Sequence, residues 1–133
     1  MKLLLDTHTF IWWDSAPHRL TPRVLDICQD PENVLLLSVA SVWEMQIKLQ
    51  LGKLKLGLSF ACNTKPELIS SQQRINNFDI LTVKLEHVLA LDKLLPHHKD
   101  PFDRLLIAQA DVENAFIVSQ DPVFAQYPVK LIW

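Results

Sequence analysis

The chain has 133 residues, a length that one domain accommodates and that buries roughly two thirds of the surface its unfolded form exposes. Hydrophobic residues make up 49% and charged residues 21%, which excludes a disordered chain, and a formal net charge of -2 argues against a broad basic surface for nucleic acid. Cys28 and Cys62 are too few for a disulfide framework, and no apolar run approaches a signal-peptide core or a membrane span. The expectation is therefore one domain, residues 1–133, in the reducing cytoplasm.

Lys2 to Leu5 form an apolar run without polar alternation, the pattern of a strand buried on both faces of a parallel sheet, and the run ends on Asp6. In an open α/β sheet ligands bind beyond the carboxyl ends of the strands, so Asp6 stands at the mouth of a site. It can equally cap the helix that follows, together with Thr7. Thr9 to Trp13 read as that short helix. Thr21-Pro22 opens another, with threonine as cap and proline at its first position, and Asp30-Pro31 closes it.

Val34 to Leu37 form a second buried strand, ending on Ser38. From Val39 to Leu51 the apolar positions Val39, Val42, Trp43, Ile47 and Leu51 recur at helical spacing, and Gly52 stands where a helix stops. Lys53 to Leu58 read as a turn-rich link, and Pro66 to Ile75 as a weaker amphipathic helix. Phe78 to Leu81 make a third strand, and Thr82 is placed to cap a helix running to about Leu94, ahead of Pro96. Asp100-Pro101 starts a helix with Leu105, Leu106, Ala108 and Val112 on its apolar face. Phe116 to Val118 form a fourth strand and Val129 to Trp133 a fifth. Strands alternating with helices call for a parallel sheet with right-handed crossovers, the fold class α/β.

Four acids take equivalent places in this scheme: Asp6 after strand one, Glu44 on the helix after strand two, Asp103 opening the late helix and Asp121 after strand four. Carboxylates gathered in one pocket repel one another, and a bound cation removes the conflict. Oxygen ligands without cysteine favour Mg2+ or Mn2+ over zinc. Each acid also has a structural reading. Ser41 and Glu44 have the spacing of a capping box, although a helix starting at Ser38 frees Glu44 from that role. Asp100 and Asp121 each precede a proline, as capping aspartates do, and for Asp100 capping is preferred. Asp103 lies in a first turn, where the helix dipole favours negative charge with or without a metal.

The segments LLDTHTFIWW, SVASVWEMQIKLQLGKLKL, HHKDPFDRLLIAQA and VSQDPVF resemble the PIN (PilT N-terminus) domain, and within it the toxin-like ribonucleases of virulence-associated toxin–antitoxin pairs. Their order along nearly the whole chain makes the likeness specific. It implies a three-layer α/β/α sandwich with a central parallel sheet of about five strands, and four acids that bind Mg2+ or Mn2+, falling on Asp6, Glu44, Asp103 and Asp121. Asp100 matches an acidic residue often found just upstream, and Ser119 stands where the family often carries a hydroxyl near the last acid. The activity implied is metal-assisted hydrolysis of RNA. Asp6 and Asp103 would then make the principal metal contacts, Glu44 a contact to metal or attacking water, and Asp121 a second-metal or water-mediated contact. A homodimer and an antitoxin partner are implied as well.

Other residues are read alongside these. His8, His97 and His98 suggest solvent exposure or loop hydrogen bonds rather than a zinc site, with phosphate contact as the lesser alternative. Arg104 either steadies a phosphate or acid neighbour or makes a surface ion pair. Lys48, Lys53 and Lys55 form the most basic stretch and offer an RNA-facing strip, or simply a solvated helix end. Trp12, Trp13 and Trp43 could stack on bases, but tryptophans in apolar helices better suit core or subunit contacts, and at least one of the first two is expected at a contact. Two rivals remain. A haloacid-dehalogenase-like phosphotransferase needs a second aspartate two residues after the first, where this chain has His8. A catalytically silent module would use the same fold to grip RNA or an antitoxin.

Overall fold

A computed structural model describes residues 1–52 and 77–133. Five parallel strands form one sheet: β1 (Lys2–Leu5), β2 (Val34–Ser38), β3 (Phe78–Leu81), β4 (Phe116–Val118) and β5 (Lys130–Ile132), in the spatial order β3-β2-β1-β4-β5. Leu4 pairs with Leu36 on one side and Ile117 on the other, so β1 is central. From β1 the chain winds outward through β2 and β3 on one side and then returns to build β4 and β5 on the other, so the gap between β1 and β4 is where the winding reverses.

Both faces of the sheet are covered, which explains why the strand sequences do not alternate. Leu3, Leu5, Leu35 and Leu37 pack with Phe10 and Ile11 of α1 (Thr7–Ser15), Val24 and Cys28 of α2 (Pro22–Gln29) and Met45 of α3 (Val39–Gln50). On the opposite face Leu4, Leu36 and Ile117 pack with Leu106 and Ile107 of α5 (Pro101–Glu113) and with Phe124. The result is the expected three-layer sandwich. No helix among the described residues is long and apolar enough to cross a membrane.

Local chemistry sets the helix boundaries. Asp6 caps α1 through Thr9 N–H, so that helix starts two residues before the expected Thr9 and runs on to Ser15. Thr21 caps α2 as read from the sequence. Ser38 caps α3, which confirms that Glu44 is not the end of a capping box. Gly52 follows α3 at φ +69°, a backbone setting that costs glycine little. Thr82 does not cap a helix: its carbonyl accepts from Gln109, and α4 (Leu85–Leu89) begins after Lys84, whose N–H donates to His87 Nδ1 at 3.0 Å. A short 3-10 turn, Ala90–Lys93, continues α4. The expected link at Lys53 to Leu58, the helix at Pro66 to Ile75, and Cys62 lie outside the described residues.

Ser38 also ties the two helical layers together. Its fully buried hydroxyl donates to Gln109 Oε1 at 2.6 Å while accepting from Ala40 N–H. Ser38→Ala loses a cap and leaves a buried amide oxygen unpaired, and should cost about 2 kcal/mol in a urea unfolding experiment.

Candidate active site

The strand–helix junction at β1 places Asp6 at the carboxyl edge, beside the winding reversal. Asp6 is 6% exposed. One carboxylate oxygen accepts from Thr9 N–H at 2.7 Å and the other from the Ser119 hydroxyl. Burial pushes its carboxyl above the ordinary range, and the hydrogen bonds from Ser119 and Thr9 oppose that only in part. Capping and functional readings of Asp6 are therefore compatible, since the cap engages one oxygen and fixes the rotamer. Thr9 strengthens the junction by donating its hydroxyl to Val118 O at 2.9 Å.

Ser119 connects the first acid to the fourth. Its oxygen also accepts from Asp121 N–H at 3.0 Å, which holds the turn after β4 against Asp6. Asp121 is exposed and accepts from Val123 N–H, the capping role its proline neighbour suggested. One of its carboxylate oxygens has no hydrogen-bond partner among the described residues.

Glu44 reaches the same edge from α3. Thr7, the residue after Asp6, donates its hydroxyl to Glu44 Oε1 at 2.6 Å, and Lys48 lies 3.1 Å from Oε2 one helical turn on. Lys48 is thus engaged with an acid of the site, while Lys53 and Lys55 lie outside the described residues.

The start of α5 carries the remaining acids. Asp100 caps the helix, accepting from Phe102 N–H and Asp103 N–H through a single oxygen, as its place before Pro101 suggested. Asp103 points into the cluster and its Oδ2 lies 2.8 Å from His98 Nε2. Burial first, then the charges of Asp100 and Glu44, raise the Asp103 carboxyl to about 6, with the hydrogen bond and charge of His98 opposing them. His98, Asp100 and Asp103 each bring a donor atom within 4.8 Å of the other two. Asp6, Glu44 and Asp121 belong to no such triplet among the described residues: Ser119 links Asp6 to the Asp121 turn and Thr7 binds Glu44, while Asp103 groups with His98 and Asp100 and is close enough to Glu44 to feel its charge.

Arg104 does not make the surface ion pair that was one of its two readings. Its Nη1 donates to Leu95 O at 3.0 Å, His98 O at 3.3 Å and the Tyr127 hydroxyl at 3.4 Å, and it makes no ion pair among the described residues. The loop entering α5 has carbonyls outside any helix or strand, and Arg104 satisfies two of them, holding His98 where it meets Asp103. Trp43 is not a core residue: it is 62% exposed and packs edge-on against Phe102. Cys28 is buried, and burial pushes its thiol up to about 11, so it is no nucleophile.

The sequence offered Thr7 as a helix cap and Thr9 as a helix start but not as partners of Glu44 and Val118, and it gave no pairing of His98 with Asp103. The one available signal was local, two hydroxyls spaced through D-T-H-T at a strand end.

A five-stranded parallel sheet between two helical layers, with Asp6 and Asp121 lining a cleft at the point of winding reversal, defines a doubly wound α/β/α protein. More specifically, the chain belongs to the PIN domain family, whose model matches residues 3–130. No curated protein matches it. Among solved structures it is similar to VapBC2 from Rickettsia felis bound to a DNA fragment from its promoter, with a TM-score of 0.68, 17% identity and coverage of 100% of this chain and 99% of that one. It is similar also to VapBC-1 from nontypeable Haemophilus influenzae, with a TM-score of 0.68, 16% identity and coverage of 99% and 97%. FitAcB from Neisseria gonorrhoeae gives a TM-score of 0.57, 19% identity and coverage of 98% and 96%. At these identities the likeness is one of fold.

Proposed function

We propose that this PIN domain is a divalent-cation-dependent endoribonuclease, the toxin of a toxin–antitoxin pair, acting as a cytoplasmic homodimer and restrained by a cognate antitoxin protein. The observation that carries the reading is the grouping at the head of α5, where His98, Asp100 and Asp103 each bring a donor atom within 4.8 Å of the other two, with the charge of Glu44 felt at Asp103. A fold that gathers like charges in this way gains stability when a cation joins them.

The donor set fits Mg2+ or Mn2+. Asp100 and Asp103 each keep one carboxylate oxygen without a hydrogen-bond partner among the described residues, and oxygen donors suit hard cations. Asp6 and Asp103 would hold the ion, with Asp121 as a further or water-mediated contact and Asp100 as a secondary candidate. The bound cation supplies charge neutralisation at the scissile phosphate and a water acidic enough to attack near neutral pH.

The chain's own residues orient these groups. Ser119 and Thr9 N–H fix the Asp6 carboxylate, and His98 fixes that of Asp103. Glu44, held between Thr7 and Lys48, is placed to orient the attacking water or accept its proton. The antitoxin partner is supported by the VapBC assemblies whose fold this chain shares.

Purified protein with single-stranded RNA tests the reading. Cleavage should require Mg2+ or Mn2+, stop on chelation and resume when Mg2+ is restored. RNA binding that ignores chelation, with no cleavage in either metal, would instead make the protein the silent binding module.

A further inference from the structure

Beside the acids lies an open cleft of about 430 Å³, lined by Asp6, His8 and Trp12 from the head of α1 and by Gln120, Asp121 and Pro122 from the turn after β4. Small-ligand sites span roughly 300–1,000 Å³, so this volume suffices for a nucleotide-sized guest. Several lining groups have no task in holding the fold. His8 and Gln120 are exposed, and neither makes a hydrogen bond among the described residues. The Trp12 ring is steadied by Trp133 at 6.0 Å and by the Arg19 guanidinium 5.8 Å from its centroid, yet it remains only partly covered. The His8 ring lies 6.1 Å from it.

The chemistry of the lining selects its guest. Among the described residues no lysine or arginine lines the cleft and two carboxylates do, which disfavours a bare anionic group. What suits it is flat and uncharged, with hydrogen-bonding edges: aromatic rings and a proline offer stacking surface, while Gln120 and His8 offer unspent donors and acceptors. We propose that this cleft takes an unpaired nucleobase of the RNA next to the bond being cleaved, stacked on Trp12 with its edge met by His8, whose ring is tilted 48° to that of Trp12, and by Gln120. The proposal rests on the ribonuclease reading and adds to it a base-binding subsite, built on Trp12, His8 and Gln120 beside the acids.

The test is calorimetric titration with the four nucleoside 5′-monophosphates and with ribose 5-phosphate as the baseless control, all with Mg2+ present. A monophosphate has no internucleotide bond to cleave, so binding is read apart from turnover. The monophosphates should bind roughly 5- to 150-fold more tightly than ribose 5-phosphate, the span that stacking one base on an aromatic side chain provides. Trp12→Leu should remove most of that preference and Trp12→Phe should keep it, with circular dichroism and sedimentation as checks on fold and self-association. Gln120→Ala, at an exposed position, should alter the ranking of the four bases.

Equal affinity for ribose 5-phosphate overturns the proposal. A folded Trp12→Leu protein that binds nucleotides normally and changes only its self-association also overturns it, and gives the face to a second copy of the chain. RNA cleavage alongside base-blind binding defeats the cleft alone. Base-selective binding without RNA cleavage defeats the nuclease reading alone.

Discussion

Asp6→Asn is expected to slow RNA cleavage at least a hundredfold while leaving the protein folded and no less stable. The substitution keeps the shape of the side chain, and asparagine caps helices about as well as aspartate. Thr9 N–H still finds a carbonyl oxygen. The new amide nitrogen takes the place of the oxygen facing Ser119, whose hydroxyl has two lone pairs and can accept from that amide as well as from Asp121 N–H. What disappears is the negative charge, together with the desolvation that raises the Asp6 carboxyl. Even groups one shell removed from a metal alter affinity or activity about 10- to 100-fold, so a direct ligand should exceed the upper end. Initial rates on single-stranded RNA and thermal melting of the two proteins separate the cases. An Asp6→Asn protein that cleaves like the parent removes Asp6 from the site, whereas one that fails to fold shows its charge to be structural.

The architecture was legible because burial on two faces leaves an unmistakable pattern. Runs such as Leu3-Leu4-Leu5 and Leu35-Leu36-Leu37 contribute alternate side chains to opposite layers, and both layers are apolar. Caps could be read where a single residue both starts the helix and accepts from it, as Thr21, Ser38 and Asp100 do. Thr82 shows the limit of that reasoning, because it lies beside a buried glutamine from a helix 27 residues away, and the contact with Gln109 outranks a local preference. The site divides along the same line. Asp6 and Asp121 could be placed from strand ends alone. The Thr7 bond to Glu44 spans 37 residues and depends on how α1 packs against α3, which no local pattern encodes. The ion-pair reading of Arg104 failed for a related reason: its sequence neighbour is an acid, but the loop carbonyls that take its donor are brought to it by the fold.

The second large effect is a pH dependence of stability in metal-free protein. Asp103 ordinarily titrates at 3.8 and is raised to about 6 in the fold, by burial first and then by Asp100 and Glu44. Between those values the folded state holds a proton that the unfolded state has released, so stability falls as pH rises through the window. The contribution is full below about pH 4 and gone above about pH 6, and amounts to at most about 3 kcal/mol. Water reaching a side chain 20% exposed reduces that figure. Asp103→Asn should flatten this part of the profile and leave the variant more stable than the metal-free parent at pH 7. Added Mg2+ should raise the melting temperature of the parent much more at pH 7.5 than at pH 5, because only the ionised carboxylate attracts the cation, and should do little for Asp103→Asn. Urea melts across pH 4 to 8, with and without Mg2+, measure both effects. A profile unchanged by the substitution would mean that the Asp103 charge is already compensated within the fold, and a Mg2+ response equal at both pH values would place the cation away from the head of α5.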